Sequence, residues 1–142
     1  MQWLRQNALG RMESACKGLL EATREHSAWQ WDDDYHAALA VIRAPHEAAV
    51  LARVEGLLPH AWSQLDIKQA PPHVRHVCGV WGGLMTGQRL FALDPELDPM
   101  LFATWWPWGN RLKFSLRVSA YGRGDAVVKA DPQGKMRAFL DL

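Results

Sequence analysis

The residues best suited to chemistry are six histidines and two cysteines, and three of them lie close together in the chain. His73, His76 and Cys78 are of types that bind metal ions. On a strand, His73 would point away from His76 and Cys78, and on a helix Cys78 would leave the face that the two histidines share. Neither geometry gathers three ligands. The segment HEAAV at His46 also lacks the second histidine of a zinc-protease helix, so the sequence predicts no metal site.

Nucleophilic catalysis needs a cysteine or serine beside a base, and that base must be oriented by an acid. Cys78 follows His76 and Ser63 follows His60, but no orienting acid is evident for either pair. The glycines after Cys78 match neither the P-loop nor the dinucleotide-binding fingerprint, so no cofactor is predicted. A small enzyme or ligand-binding domain is therefore an alternative interpretation, with its pocket near His60, His73, His76 and Cys78.

Tryptophans give the sequence a second candidate chemistry, because three of the eight stand in TWWPWGNRLKF, residues 104–114. Taking the Gly-Asn pair at 109–110 as a two-residue hairpin loop with positive φ fixes the register of the flanking strands. Trp106 then faces Lys113. One face of this hairpin is wholly apolar and should be buried against helices. That face consists of Leu101, Ala103, Trp105, Pro107, Leu112, Phe114, Leu116 and Val118.

The opposite face of the hairpin combines aromatic and basic residues, with Trp108 facing Arg111 in the expected register. A second hairpin, predicted over residues 127–139 with its loop at DPQGK, continues this pattern. We predict that the face binds a partner, since Trp and Arg are enriched at binding hot spots. Two structural interpretations stay open: cation–π packing of these side chains on one another, or cover by residues 60–92. The predicted binding residues are Phe102, Trp106, Trp108, Arg111, Lys113, Arg117, Lys129, Arg137 and Phe139.

The charge of the chain is uneven, and this indicates the kind of partner. Residues 100–142 hold 7 Lys and Arg against 3 Asp and Glu, whereas residues 1–99 hold 9 against 12. A basic C-terminal third favours another protein with an acidic surface, as for an inhibitor, immunity protein, chaperone or adaptor. The alternative is a single-stranded nucleic acid that stacks its bases on Trp106 and Trp108, with binding that depends steeply on salt.

Helices are predicted in the N-terminal part of the chain. Residues 1–58 have apolar residues at helical spacing, beginning at Leu4, with a new helix expected after Trp31 and another after the break at Pro45. The acidic residues 32–34 would cap the middle helix and fill its first turn. The apolar stripe of that middle helix would consist of Tyr35, Ala38, Leu39 and Ile42.

Strands are predicted in the middle and C-terminal parts of the chain. Residues 60–99 are ambiguous, and their glycines and β-branched residues favour short strands and loops, with a hairpin over residues 72–92 rather than a helix. In residues 100–142, alternation predicts a β-meander. We therefore expect an α+β fold in one domain, residues 1–142, whose N-terminal helices pack on a C-terminal antiparallel β-meander sheet.

Composition bounds the setting in which such a domain works. The two cysteines are too few and too far apart for a disulfide framework, so both are expected to be reduced. No run of apolar residues is long enough for a membrane span, and no signal peptide is evident. We expect a cytoplasmic protein that does not enter a membrane. Arginine outnumbers lysine and alanine is frequent, which indicates a bacterial source.

Overall fold

The computed structural model describes residues 2–142, with side chains from residue 7 onward. The expected position of Leu4 on an apolar stripe therefore lies outside the described side chains. The fold is α+β, as predicted, and is built on one antiparallel sheet of six strands in the order β1-β2-β6-β5-β4-β3. The strands are β1 (Gln30–Asp32), β2 (Ala37–Arg43), β3 (His60–Ser63), β4 (Arg89–Ala92), β5 (Met100–Pro107) and β6 (Lys113–Tyr121).

Helices lie on both faces of this sheet. They are α1 (Gln2–Thr23), α2 (Glu47–Leu57), α3 (Pro72–Val80), α4 (Asp125–Lys129) and α5 (Pro132–Phe139). The larger core, called here the main core, forms where α1, α2 and α5 pack on one face of the sheet. The opposite side of the sheet is called here the second face, and α3 packs on part of it.

The apolar face predicted for the β5–β6 hairpin is the sheet side of the main core. Six of its eight members are buried there, because alternation along a strand sends every second side chain to the same side. Pro107 is half-buried, and Leu112 is 63% exposed because it lies in the loop. The buried members are Leu101, Ala103, Trp105, Phe114, Leu116 and Val118.

The register of this hairpin differs from the predicted one by two residues. Trp105 pairs with Leu116, not Phe114, and residues 108–112 connect the two strands. The positive φ falls on Arg111, whose amide donates to the Trp108 carbonyl oxygen at 2.9 Å. Because side chains in a strand repeat every two residues, this shift changes the cross-strand partners and preserves both faces.

The middle helix predicted after Trp31 is wrong, because this segment forms the β1–β2 hairpin. Asp32 does not cap a helix; its Oδ1 accepts a hydrogen bond from the Asp34 amide in the turn between the strands. In β2, Ala38, Ala40 and Ile42 alternate into the main core. Pairing of β2 with β6 along six residues overrides the helical preference of this Ala-rich segment.

The hairpin favoured over residues 72–92 is also wrong. Pro72 occupies the first turn of α3, where its missing amide hydrogen costs nothing. Val74, Val77 and Cys78 then share one buried helical face. The chain leaves the helix through Gly82 and Gly83, both with positive φ, and enters β4 only at Arg89.

The β-meander ends at Tyr121, and the second predicted hairpin does not form. Residues 125–129 and 132–139 are helices, so Lys129, Arg137 and Phe139 do not lie on the sheet. The DPQGK segment begins α5: Asp131 is its N-cap and accepts a hydrogen bond from the Gly134 amide at 3.1 Å, with Pro132 in the first turn. Asp-Pro followed by Gly suits a hairpin loop and a helix start equally, and the local pattern does not separate them.

Candidate functional site

The second face of the sheet is divided into two halves that differ in what lies above them. The covered half lies beneath α3 and Trp81, and its buried apolar residues are Ala37, Leu90, Ala92, Met100 and Phe102. The open half lies mainly on β2, β6 and the far end of β5. It consists of Leu39, Val41, Arg43, Trp106, Trp108, Lys113, Ser115 and Arg117.

Phe102 is the predicted binding residue that falls in the covered half. Its side chain is 3% exposed, and the ring of Trp81 lies 4.8 Å from it between centroids. At this position residues 60–92 cover the face, which was one of the two structural interpretations, because α3 and Trp81 belong to that segment. Phe102 therefore contributes to the second core and offers no surface to a partner.

Trp106 lies at the border of the two halves, where aromatic rings surround the half-buried charge of Arg117. Its ring centroid is 5.3 Å from that of Tyr35 and 6.1 Å from that of Trp81. The guanidinium of Arg117 lies over both Trp106 and Tyr35, at 4.7 and 4.6 Å from their centroids. Arg117 Nε also donates to Asp32 Oδ2 at 3.0 Å. The charge of Arg117 is thus matched within the chain and held by cation–π contacts.

Trp108 is the tryptophan that the open half presents to solvent. It is 40% exposed, and its Nε1 donates to Ser115 Oγ at 2.9 Å, so the indole lies across β6. Lys113 Nζ is 5.0 Å from the centre of the indole. Arg111 is exposed in the adjoining loop. An oriented aromatic ring with cations beside it is the arrangement that the aromatic-basic pattern predicts.

Three residues of the open half were missed because β2 was expected to be a helix. Leu39, Val41 and Arg43 pair with Arg117, Ser115 and Lys113, respectively. Leu39 and Val41 are half-buried and Arg43 is exposed, so they extend the surface beside Trp108. The run AALAVIR is apolar through its first six residues, so hydrophobic alternation does not mark these three positions in the sequence.

The structure separates the last three predicted binding residues from the open half. The guanidinium of Arg137 lies 4.3 Å from the ring centre of Trp31, and Phe139 packs against the main core. Lys129 is exposed in the last turn of α4. All three belong to the two C-terminal helices and not to the second face.

The histidines of the alternative pocket also have separate environments. His60 stacks on Trp62, a ring nitrogen of His73 contacts the Pro95 carbonyl oxygen, and His76 packs beside Tyr121. Cys78 is buried in the second core, and burial raises the pKa of its thiol, which opposes the thiolate that a nucleophile needs. Within the described residues, no group of three or more His, Cys, Asp or Glu is placed to hold a metal ion.

No family model, curated protein or solved structure matches this chain. In the part of the chain that the structure describes, none of the helices has the length and apolar character needed to cross a membrane.

Proposed function

We propose that this chain is a protein-binding module that engages a partner with an acidic surface through the open half of its sheet. The observation that carries the proposal is Trp108, a large apolar ring held in place at the surface by Ser115 and Lys113. Exposed aromatic clusters rimmed by polar residues commonly mark interaction sites. A ring that is already oriented loses little freedom on binding, which favours affinity.

The charges around Trp108 support an acidic partner. Arg117 is matched by Asp32, whereas Arg43, Arg111 and Lys113 are exposed and form no ion pair among the described residues. Three free cations around an apolar centre attract carboxylates and steer their approach. This is the chemistry of an inhibitor, immunity protein, chaperone or adaptor that recognises an acidic protein surface.

The open half is small for a whole interface. Its eight residues are fewer than the 20–30 that each side of a standard interface contributes. A partner therefore has to contact the surrounding loops as well, and the open half supplies the centre of the contact. Such a contact should weaken as salt screens the exposed cations.

A bacterial cytoplasm is the setting we propose for this module. Two features support it: both cysteines are free, and arginine and alanine are frequent in the composition. The proposal does not require a cofactor or a metal.

The test is capture of partners from an extract of the native host, followed by titration of each purified candidate with chosen variants. Trp108→Ala should weaken binding at least about thirtyfold, as loss of a hot-spot ring costs about 2 kcal/mol or more. Lys113→Glu should also weaken it, because it reverses the attraction for carboxylates. Lys129→Glu is the matched control, since this exposed lysine lies on α4 and should leave binding unchanged.

Two results would overturn the proposal. One is a folded Trp108→Ala variant that binds the captured protein with full affinity. The other is tight binding of a single-stranded oligonucleotide, lost with Trp108→Ala and falling steeply with salt, in the absence of a protein partner. That second result would make nucleic acid the ligand of this face.

A further inference from the structure

A cavity lies between α3 and the end of β6, away from the exposed Trp108. Its volume is about 160 Å³, and five parts of the chain line it: α3 with Trp81, the turn before β2, β5 at Phe102, the end of β6, and α5. Trp108 and Tyr121 lie at opposite ends of the β5–β6 hairpin, about 26 Å apart by the rise of a strand. The cavity is therefore a separate feature from the tip of the open half.

Aromatic rings form most of the cavity wall. Tyr35 and Trp81 meet edge to face at 5.6 Å, Trp81 lies 4.8 Å from Phe102, and His76 lies 5.3 Å from Tyr121. Aromatic rings favour another ring in such edge-to-face or offset positions, with a gain beyond that of apolar burial. The wall therefore has a chemical preference for a flat ring.

The size of the cavity and the absence of charged side chains among the described residues that line it favour one uncharged ring over larger or ionised ones. A cavity of about 150 Å³ is known to hold benzene, so 160 Å³ accommodates a single six-membered ring. None of the side chains that line it is Asp, Glu, Lys or Arg. An ionised ring would lose its hydration here without gaining an opposite charge, which makes an uncharged ring the better ligand.

Polar groups at the wall indicate a substituent on the ring. His76 and Gln133 line the cavity, and both side chains donate and accept hydrogen bonds. The turn that carries Tyr35 is fixed at His36, whose backbone has a positive φ of 51° and whose carbonyl oxygen accepts from Ser119 Oγ at 2.9 Å. The backbone on this side of the cavity is thus held in place before any ligand arrives.

We infer that this cavity binds a small uncharged aromatic molecule of one ring with a hydrogen-bonding substituent, such as a phenol or a benzamide. The ring lies among Tyr35, Trp81 and Tyr121, and its substituent reaches His76 or Gln133. Tyr35 and Trp81 also contact Trp106 of the open half, but the inference does not depend on a protein partner.

The experiment titrates the protein with phenol and benzamide, and with benzoate, benzylamine and cyclohexanol as probes matched in size. Binding is measured from NMR shifts of the Trp81 indole and His76 imidazole, assigned with Trp81→Phe and His76→Gln variants. The two uncharged aromatic probes should saturate in the millimolar range and shift these signals. Each of the three comparison probes should bind at least tenfold more weakly.

Val80→Trp provides the matched test of location, since Val80 is 67% exposed at the rim of the cavity. It should weaken phenol binding at least tenfold and leave the melting temperature unchanged. Leu112→Trp, at a 63% exposed position in the distant loop, should bind phenol as the native chain does. The inference fails if neither aromatic probe saturates, if charged rings or cyclohexanol bind equally well, or if Val80→Trp binds phenol like the native chain.

Discussion

Aromatic residues lie along one side of β5 and at the residue that follows it, and their exposure differs between the two halves of the second face. Phe102 is 3% exposed beneath Trp81, whereas Trp108, six residues further on, is 40% exposed. Trp106 lies between them and is half-buried. Alternation alone assigns all three to the same side of the sheet. What lies above each ring decides whether it stabilises the fold or remains available to a partner.

The largest loss of unfolding free energy is expected when Phe102, in the covered half, is truncated. Phe102→Ala should cost about 3–5 kcal/mol of unfolding free energy, because it leaves a cavity under Trp81. Phe114→Ala, in the main core, should cost a similar amount. Urea denaturation of both variants gives the values directly. A Phe102→Ala variant that loses less than about 1 kcal/mol would mean that α3 does not cover this half in solution.

The next largest effect is expected at Trp106, where the halves meet. Trp106→Ala should cost about 2 kcal/mol, roughly half the value of a fully buried ring, because the residue is half-buried. Part of that cost is the lost cation–π contact with Arg117. Trp106→Phe is the control, since it keeps a ring over the guanidinium and should retain most of the stability. If both variants lose the same free energy of unfolding, the packing of rings around Arg117 contributes little to stability.

The β5–β6 faces were predictable from sequence, whereas the open half as a whole was not. Strict alternation is a local signal, and a register error of two residues leaves the faces unchanged. In contrast, β2 is defined by pairing with β6, which is distant in the chain, while its own Ala-rich segment also suits a helix. Leu39, Val41 and Arg43 therefore could not be placed beside Trp108. The covering helix α3 was missed because its glycines and valines favoured strands.

Cys16 lies in the main core and Cys78 in the second core, so the reaction rates of the two thiols compare how often each core opens. Burial, with a smaller effect of the Glu13 charge, raises the pKa of the Cys16 thiol to about 12, and burial raises that of Cys78. The reactive species is the thiolate, so at pH 8 each thiol should react only when its core opens. Because α3 has nine residues and covers only part of the second face, the core around Cys78 should open more often than the core around Cys16.

A thiol-specific reagent at pH 8 should therefore modify Cys78 about tenfold faster than Cys16, a difference of about 1.4 kcal/mol in opening free energy. Single Cys16→Ser and Cys78→Ser variants assign each rate. Faster modification of Cys16 would reverse the order of stability that we infer for the two cores.

The smallest effect is expected at Lys113, in the open half. Lys113→Ala should change the free energy of unfolding by no more than about 0.5 kcal/mol, because the side chain is exposed and its contact with Trp108 is a surface cation–π contact. Lys113 directly precedes Phe114 in β6, so the two positions share a strand and differ in the face they occupy. Thermal melts of the two alanine variants measure this contrast. A loss above about 1.5 kcal/mol at Lys113 would show that the open half is part of the stabilising structure, and its cations would then no longer be free to serve a partner.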